Sequence, residues 1–152
     1  MNQYPTILCD TREGHPYSFG VLPLKKIKLE TGDYSIEHFE DYVSLERKSL
    51  LDFVNTVINK DNRQRFFAEL NRMKQYPRKV YCVIIEGSFE DIFEHRYESH
   101  AEPMSIFGFI LSIMTDWGIP VIMAGNRQIG RLICETLLVN FWNHAQKGLK
   151  KD

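Results

Sequence analysis

Two short runs of apolar residues constrain the fold of this chain more than any other feature of its sequence. They read VYCVIIEG at positions 80–87 and IPVIMAG at positions 119–125. A strand that is apolar at nearly every position is covered on both faces of its sheet. A third apolar segment lies between them at positions 103–117, and its opening Pro103 is typical of the first turn of a helix. This order of strand, helix and strand predicts an α/β protein.

The remaining patterns extend this prediction to the whole chain. Three strands are predicted. The first is TILCD at 6–10; KKIKLETGDYSI at 25–36 alternates around Ile27 and Leu29 and passes through Gly32 into the second; and YVSLERK at 42–48 is the third, with EHFED as the turn before it. Ser49 then begins a helix with Asp52 three residues on, the spacing of a capping box. Further helices are predicted at 62–75, at 88–96 and from Asn126 to about position 145. The order β, β-turn-β, α, α, β, α, α, β, α indicates an α/β sandwich with a mixed central sheet.

Length and composition limit the class of protein further. A chain of 152 residues, 43% hydrophobic and 26% charged, predicts one globular domain, which we place at 1–146, with a polar tail at 147–152. No apolar run approaches the ~20 residues of a membrane span, and the N-terminus lacks the pattern of a signal peptide. Cys9, Cys82 and Cys134 are scattered, so we expect reduced core residues in a cytoplasmic protein without a membrane partner.

Charge is distributed unevenly, although the formal net charge is only −1. Positions 60–79 hold seven basic and two acidic residues, whereas positions 80–118 hold seven acidic residues and one basic residue. A local basic patch is compatible with phosphate binding even in a neutral chain. The alternative is an ordinary solvated helix face.

One segment, GDYSIEHFEDYVSLERKSLLD at positions 32–52, carries the residues suited to chemistry. Asp33 precedes the turn, and Glu46 and Lys48 follow on the next predicted strand. Residues two apart on a strand share a face, so Glu46 and Lys48 point together while Arg47 points to the other, apolar face. Two carboxylates beside a lysine can hold a divalent metal, position a water and stabilise charge on a phosphate. This is the minimum apparatus for cutting a phosphodiester bond.

The motifs in this chain resemble those of a known family. Gly32-Asp33 is followed by ERKSLLD at 46–52, which fits GD…ERKxxxD, and DTRE at 10–13 fits a DxRE segment. Together they resemble the nuclease domain of the XPF family of structure-specific DNA endonucleases. The resemblance covers positions 5–145 and implies the restriction-endonuclease-like, PD-(D/E)xK fold, a three-layer sandwich with a mixed central sheet flanked by helices. Stand-alone domains of this kind are similar to those of phages and prophages, which implies activity at the nucleoid of a bacterial or phage-infected cell.

The resemblance also implies a cofactor and catalytic roles. Asp33 and Glu46 would bind Mg²⁺ or Mn²⁺, and Lys48 would orient the attacking water and stabilise charge on the phosphorane. Asp10 would supply a third metal-binding carboxylate, with a plain strand-end residue as the alternative. Arg12 would bind the scissile or adjacent phosphate, unless it pairs with Glu13 or Glu46.

Two residues of the motif have divided assignments. Arg47 counts among the active-site residues by resemblance, but a guanidinium facing the apolar side needs a carboxylate partner and would then brace the site. Asp52 is explained as a helix-capping residue, and the resemblance adds a contact with Lys48 or the metal-bound water; the two assignments are compatible.

DNA and a second subunit are the expected partners. Arg63, Gln64 and Arg65 would contact the DNA backbone, with a solvated helix face as the alternative. The helix at 103–117 is apolar on nearly every side, so it lies either in the core or against another subunit. Family nuclease domains pair through comparable helices, which implies a homodimer or a partner protein.

The leading hypothesis is therefore a metal-dependent DNA endonuclease acting on flapped, forked or otherwise branched DNA. A nuclease of the same fold used for junction resolution or restriction would show the same motifs. The alternative from another class is a non-catalytic module that binds DNA or a partner. Retention of the acidic residues and Lys48 favours the enzyme.

Overall fold

The computed structural model describes residues 3–75 and 77–149 of the chain. A six-stranded mixed sheet has the order β2-β1-β3-β4-β5-β6. Its strands are β1 (Ile7–Asp10), β2 (Leu24–Ile27), β3 (Tyr34–Ile36), β4 (Val43–Ser49), β5 (Val80–Glu86) and β6 (Val121–Met123). The helices are α1 (Leu50–Ile58), α2 (Lys60–Met73), α3 (Phe89–Phe93), α4 (Pro103–Trp117) and α5 (Arg127–Leu149). The predicted α/β sandwich with a mixed central sheet is confirmed.

Each face of the sheet has its own core, because successive side chains of a strand point to opposite sides. On β5, Cys82 and Ile84 pack against α5 and the segment around Phe19. Val83 and Ile85 pack instead against the layer formed by α1 to α4. Helices therefore cover both faces, which explains why β5 is apolar along its length. The three cysteines are buried and free, as expected.

The structure corrects the predicted number of strands before the first helix from three to four. The stretch at 25–36 is not one strand: β2 ends at Ile27 and pairs parallel with β1, while β3 begins at Tyr34 and pairs antiparallel with β1. The two are separated because the backbone N–H of Leu29 donates to Asp10 Oδ1 (2.8 Å) and Gly32 adopts a positive φ of 77°. The hydrophobic alternation through Ile27 and Leu29 concealed this break.

The last helix is also longer than predicted. α5 continues to Leu149, so positions 147–149 of the predicted tail are helical, and positions 150–152 lie outside the described residues. In the part of the chain that the structure describes, no helix is long and apolar enough to cross a membrane.

Candidate active site

The candidate site lies at one edge of the sheet, where the carboxyl ends of the strands meet. β1 and β2 are parallel, as are β4, β5 and β6. β3 is antiparallel to both β1 and β4, so β1 runs in the same direction as β4. The ends of these five strands therefore share an edge with Asp33, which precedes β3. Crevices at the carboxyl ends of strands are the usual location of sites in open α/β sheets.

Asp33 is held in place by a tight turn against β4. Its backbone N–H donates to the Leu45 carbonyl, and its Oδ2 accepts from the Arg47 N–H, both at 2.8 Å. The preceding Gly32 has positive φ, and a Cβ there would lie 2.4 Å from Ser44 Oγ. Only glycine fits this close approach, which gives the Gly32-Asp33 pair a physical basis.

Glu46 lies on β4 with too few partners for a buried carboxylate. Its side chain is 6% exposed, Oε1 lies 3.6 Å from Lys48 Nζ, and no donor reaches Oε2 within residues 3–75 and 77–149. The Glu69 carboxylate is close enough to share a proton with Glu46, but it offers no hydrogen bond while both are ionised. Buried polar atoms are nearly always satisfied, so a buried carboxylate oxygen that no donor reaches is available to a cation.

Burial and neighbouring carboxylates shift the titration of both acids. Burial is the main cause that raises the pKa of Asp33 to about 7, and the charges of Glu13 and Glu69 add to it. Burial, followed by the charges of Asp33 and Glu69, raises the pKa of Glu46 well above its ordinary value. A site with excess buried negative charge and hard oxygen donors suits a divalent cation such as Mg²⁺. Asp33 and Glu46 form a set of two carboxylates, which fits an ion such as Mg²⁺ that keeps several waters and is bound through one or two carboxylates.

Lys48 shares the face of Glu46, as the strand periodicity predicts, and its ammonium lies 5.0 Å from the centroid of the Phe66 ring. An open cleft begins beside it. The cleft is lined by Lys48, Thr56, Asn62, Arg65, Phe66 and Glu69. It therefore joins the end of β4 to one face of α2.

Glu69 is a site residue that the sequence motifs missed. It lies on α2, and its Oε1 accepts from the Gly32 N–H at 3.3 Å. Its charge acts on both Asp33 and Glu46. The one available signal was compositional, since Glu69 is one of only two acids in the basic segment at 60–79.

Arg47 points to the opposite face of β4 and is fully engaged there. Its guanidinium donates to Glu86 at 3.0 and 2.7 Å and to Glu13 Oε1 at 3.2 Å. The Tyr17 hydroxyl also donates to Glu86, at 2.5 Å. Burial opposes ionisation, but the hydrogen bonds from Arg47 and Tyr17 bring the pKa of Glu86 below its ordinary value. Glu86 was missed, although an acid that ends an otherwise apolar strand was a visible signal.

Asp10 and Arg12 form a pair beside the site. Arg12 Nε donates to Asp10 Oδ2 at 2.8 Å, and the Leu29 N–H donates to Oδ1 at the same distance. These bonds outweigh burial and lower the pKa of Asp10. The described residues contain no group of three or more His, Cys, Asp or Glu side chains arranged to hold a metal. Asp10 lies beside Asp33, since its backbone N–H donates to the Asp33 carbonyl at 2.8 Å, but both oxygens of its carboxylate already accept from Arg12 and Leu29. Arg12 pairs with Asp10 rather than with Glu13 or Glu46, and its side chain remains 61% exposed.

Asp52 is exposed at the start of α1. Its backbone N–H donates to Ser49 Oγ at 3.2 Å, so Ser49 is the N-cap. This is one of the two hydrogen bonds of the predicted capping box, the one that the Ser49 side chain accepts.

The three predicted DNA contacts separate in space. Arg63 turns inward and donates to the Val57 carbonyl at 2.7 Å, near the C-terminus of α1. Arg65 lines the cleft and donates to Asn62 Oδ1, whereas Gln64 is exposed. At least one arginine of the basic segment, Arg63, therefore makes a contact within the fold.

The mixed sheet, its two helical layers and the acidic edge define an α/β protein with the fold of XPF nuclease domains. A family model of the ERCC4 domain matches residues 9–135, so the chain belongs to the ERCC4 domain family. This confirms the family resemblance of the sequence motifs.

Two solved structures and one curated protein are similar to this chain. XPF from Aeropyrum pernix in complex with DNA superposes with a TM-score of 0.66 at 21% identity, over 88% of this chain and 63% of that one. XPF from the same organism without DNA gives a TM-score of 0.66 at 20% identity, over 87% and 64%. A provisionally named ATP-dependent RNA helicase of Methanocaldococcus jannaschii is 33% identical over 126 residues, 80% of this chain. The match spans only 14% of that helicase.

Proposed function

We propose that this protein is a Mg²⁺- or Mn²⁺-dependent DNA endonuclease that prefers flapped, forked or otherwise branched DNA. The observation that carries the proposal is the buried Glu46 Oε2 beside Asp33 and Lys48, which no donor reaches in the part of the chain that the structure describes. Membership of the ERCC4 domain family and the likeness to an XPF that was solved in complex with DNA support it.

The roles follow from the contacts of each side chain. Asp33 and Glu46 would bind the cation, which supplies a polarised water and neutralises charge on the phosphate. Lys48 is 17% exposed at the mouth of the cleft, where its ammonium holds the water and stabilises the negative charge that develops on phosphorus. Arg47, fixed by Glu86 and Glu13, keeps β4 in register. Asp10 orients Arg12, whose exposed side chain is available to a DNA phosphate.

A substrate panel tests the proposal. Labelled flap, fork, Holliday-junction, linear duplex and single-stranded DNAs are incubated with the protein in Mg²⁺, Mn²⁺ or EDTA. We expect cleavage that requires the metal and is fastest on a branched substrate. Asp33→Asn and Glu46→Gln should each lower kcat at least ~1,000-fold, because they remove a metal ligand without changing shape.

The exposed acid Asp116, on α4, provides the control, and Asp116→Asn should leave cleavage unchanged. Unaltered cleavage by Asp33→Asn or Glu46→Gln would contradict the site assignment. Absence of cleavage on every DNA, with binding retained, would favour the non-catalytic module instead.

We further propose that a second copy of the chain covers the outer face of α4. Ile106, Ile110 and Ile113 are buried in the core, but on the same helix Met104 is 65%, Met114 45% and Leu111 38% exposed. Exposed apolar rows of this kind mark interaction surfaces. Light scattering should show a dimer that Met114→Glu converts to a monomer, and an unchanged dimer in that variant would place the interface elsewhere.

A further inference from the structure

The turn formed by Thr31, Gly32 and Asp33 is clamped from two sides. On one side lies β4: Ser44 Oγ donates to the Thr31 carbonyl at 3.2 Å, and the Asp33 N–H donates to the Leu45 carbonyl. These contacts explain how the turn follows the strand. They leave the Gly32 N–H pointing away from β4.

The other side of the clamp is α2, through one residue. The Gly32 N–H donates to Glu69 Oε1, and Thr31 Oγ1 donates to the Glu69 main-chain carbonyl, both at 3.3 Å. Glu69 thus binds two successive residues of the turn that presents Asp33. A side chain and a backbone group acting together fix both the distance and the orientation of the helix relative to the turn.

The same helix borders the candidate substrate cleft. Asn62, Arg65 and Phe66 line it from α2, one or two helical turns before Glu69, and Lys48 lines it from β4. A DNA backbone lying in this cleft would press on α2 through Arg65. A shift of α2 caused by this contact would also move the turn that carries Asp33, because Glu69 is hydrogen-bonded to that turn.

We propose that Glu69 is a positioning residue, which holds the Gly32 peptide against β4 and couples the substrate-bordering helix α2 to the Asp33 carboxylate. The inference rests on the nuclease function proposed above, and it assigns Glu69 a geometric task, that of a hydrogen-bond acceptor. Glutamine retains an acceptor oxygen at the same place, whereas alanine removes it. The two substitutions therefore separate geometry from charge.

The first test needs no activity. In the metal-free protein, hydrogen exchange of the Gly32 amide is followed by NMR in the wild type, Glu69→Gln and Glu69→Ala. We expect slow exchange in the first two and exchange at least ~10-fold faster in Glu69→Ala, because the amide loses its acceptor. Asp61→Ala removes an exposed acid from the first turn of the same helix and should leave Gly32 exchange unchanged.

Kinetics on the best DNA substrate give the second test. Glu69→Ala should lower kcat about 10- to 100-fold, with KM for DNA nearly unchanged, as expected when one hydrogen bond that orders the site is lost. Glu69→Gln should remain within about threefold of the wild type, a rescue that a charge effect would not give. Asp61→Ala should match the wild type.

Two results would overturn the proposal: equal Gly32 exchange in the wild type and Glu69→Ala, or equal impairment of Glu69→Gln and Glu69→Ala. If Glu69→Ala does not fold, Glu69→Leu removes the acceptor oxygen and keeps most of the side-chain volume, and unchanged Gly32 exchange in that variant also overturns it. A wild type that cuts no DNA contradicts the nuclease function. The exchange measurements then still decide whether Glu69 positions the turn.

Discussion

Glu46 and Arg47 are neighbours on β4, yet their charged groups have opposite environments. Arg47 is 8% exposed and donates to two carboxylates, while Tyr17 completes the coordination of Glu86. Glu46 is 6% exposed and has one ion pair, with Lys48 at 3.6 Å, and among the described residues no donor reaches its Oε2. Burial is the same on both faces of the strand, so it does not separate structure from function. The two faces differ in their hydrogen bonds. On the Arg47 face, hydrogen bonds offset the free-energy cost of burying the charge, whereas on the Glu46 face that cost is not offset.

Removing one charge from each face gives the sharpest contrast. Arg47→Met removes the cation of buried Glu13 and leaves Glu86 with only the more distant Arg127, at 3.8 Å, and should lower the free energy of unfolding by about 3–5 kcal/mol. Glu46→Gln relieves repulsion with Asp33 and should leave the stability of the metal-free protein unchanged or higher. Denaturant unfolding at pH 8 in EDTA measures both, and equal destabilisation of the two variants would refute the contrast.

The pH dependence of stability should come from the Glu46 face. The pKa of Asp33 is about 7 in the folded protein against an ordinary 3.8, so the folded state binds more protons between these values. Stability of the metal-free protein should therefore fall as pH rises from about 4 to about 7, on the order of a few kcal/mol.

Asp33→Asn is the informative variant for this trend, since it removes the titrating group. Thermal melts across that pH range should become flatter in Asp33→Asn than in the wild type. If the melting temperature of the wild type rises with pH, or if it changes equally with pH in both proteins, Asp33 does not control the pH dependence of stability.

On the Arg47 face of the sheet, replacing a helical glycine by alanine should destabilise the protein, although alanine has the higher helix propensity. A Cβ on Gly130 would lie 2.6 Å from Tyr17 Oη, so Gly130→Ala should displace the hydroxyl from Glu86 and cost about 1–3 kcal/mol. Gly108, on α4, has open space around it, and Gly108→Ala should stabilise by about 0.5–1 kcal/mol. A stabilising Gly130→Ala would mean that Tyr17 is not needed to complete the network.

The smallest effects are expected just after β4, at the start of α1. Ser49→Ala should cost about 1 kcal/mol through loss of the helix cap, without changing cleavage more than about threefold. Asp52→Ala should alter stability by less than about 0.5 kcal/mol and separates the two assignments of that residue. A large loss of cleavage in Asp52→Ala would show that its carboxylate also contacts Lys48 or the metal-bound water.

Local patterns in the sequence were sufficient for much of this protein. The apolar run of β5 reflects a strand covered on both faces, and the two-residue period of β4 predicted that Glu46 and Lys48 face together, opposite Arg47. These features depend on neighbours in the chain, so periodicity reveals them. β2 and the division of positions 25–36 were not predictable, because a hydrogen bond from Leu29 to Asp10, distant in sequence, interrupts the pattern.

By itself, the sequence determined the α/β class, the family motif and the need for a carboxylate partner for Arg47. Only the tertiary structure identified Glu86 and Glu13 as those partners, assigned Asp10 to Arg12 and brought Glu69 from α2 to the Asp33 turn. The physical reason is that chain periodicity fixes the face of a strand on which a side chain lies. The residue that pairs with that side chain belongs to another strand or helix, and only the packing of the elements determines which residue it is.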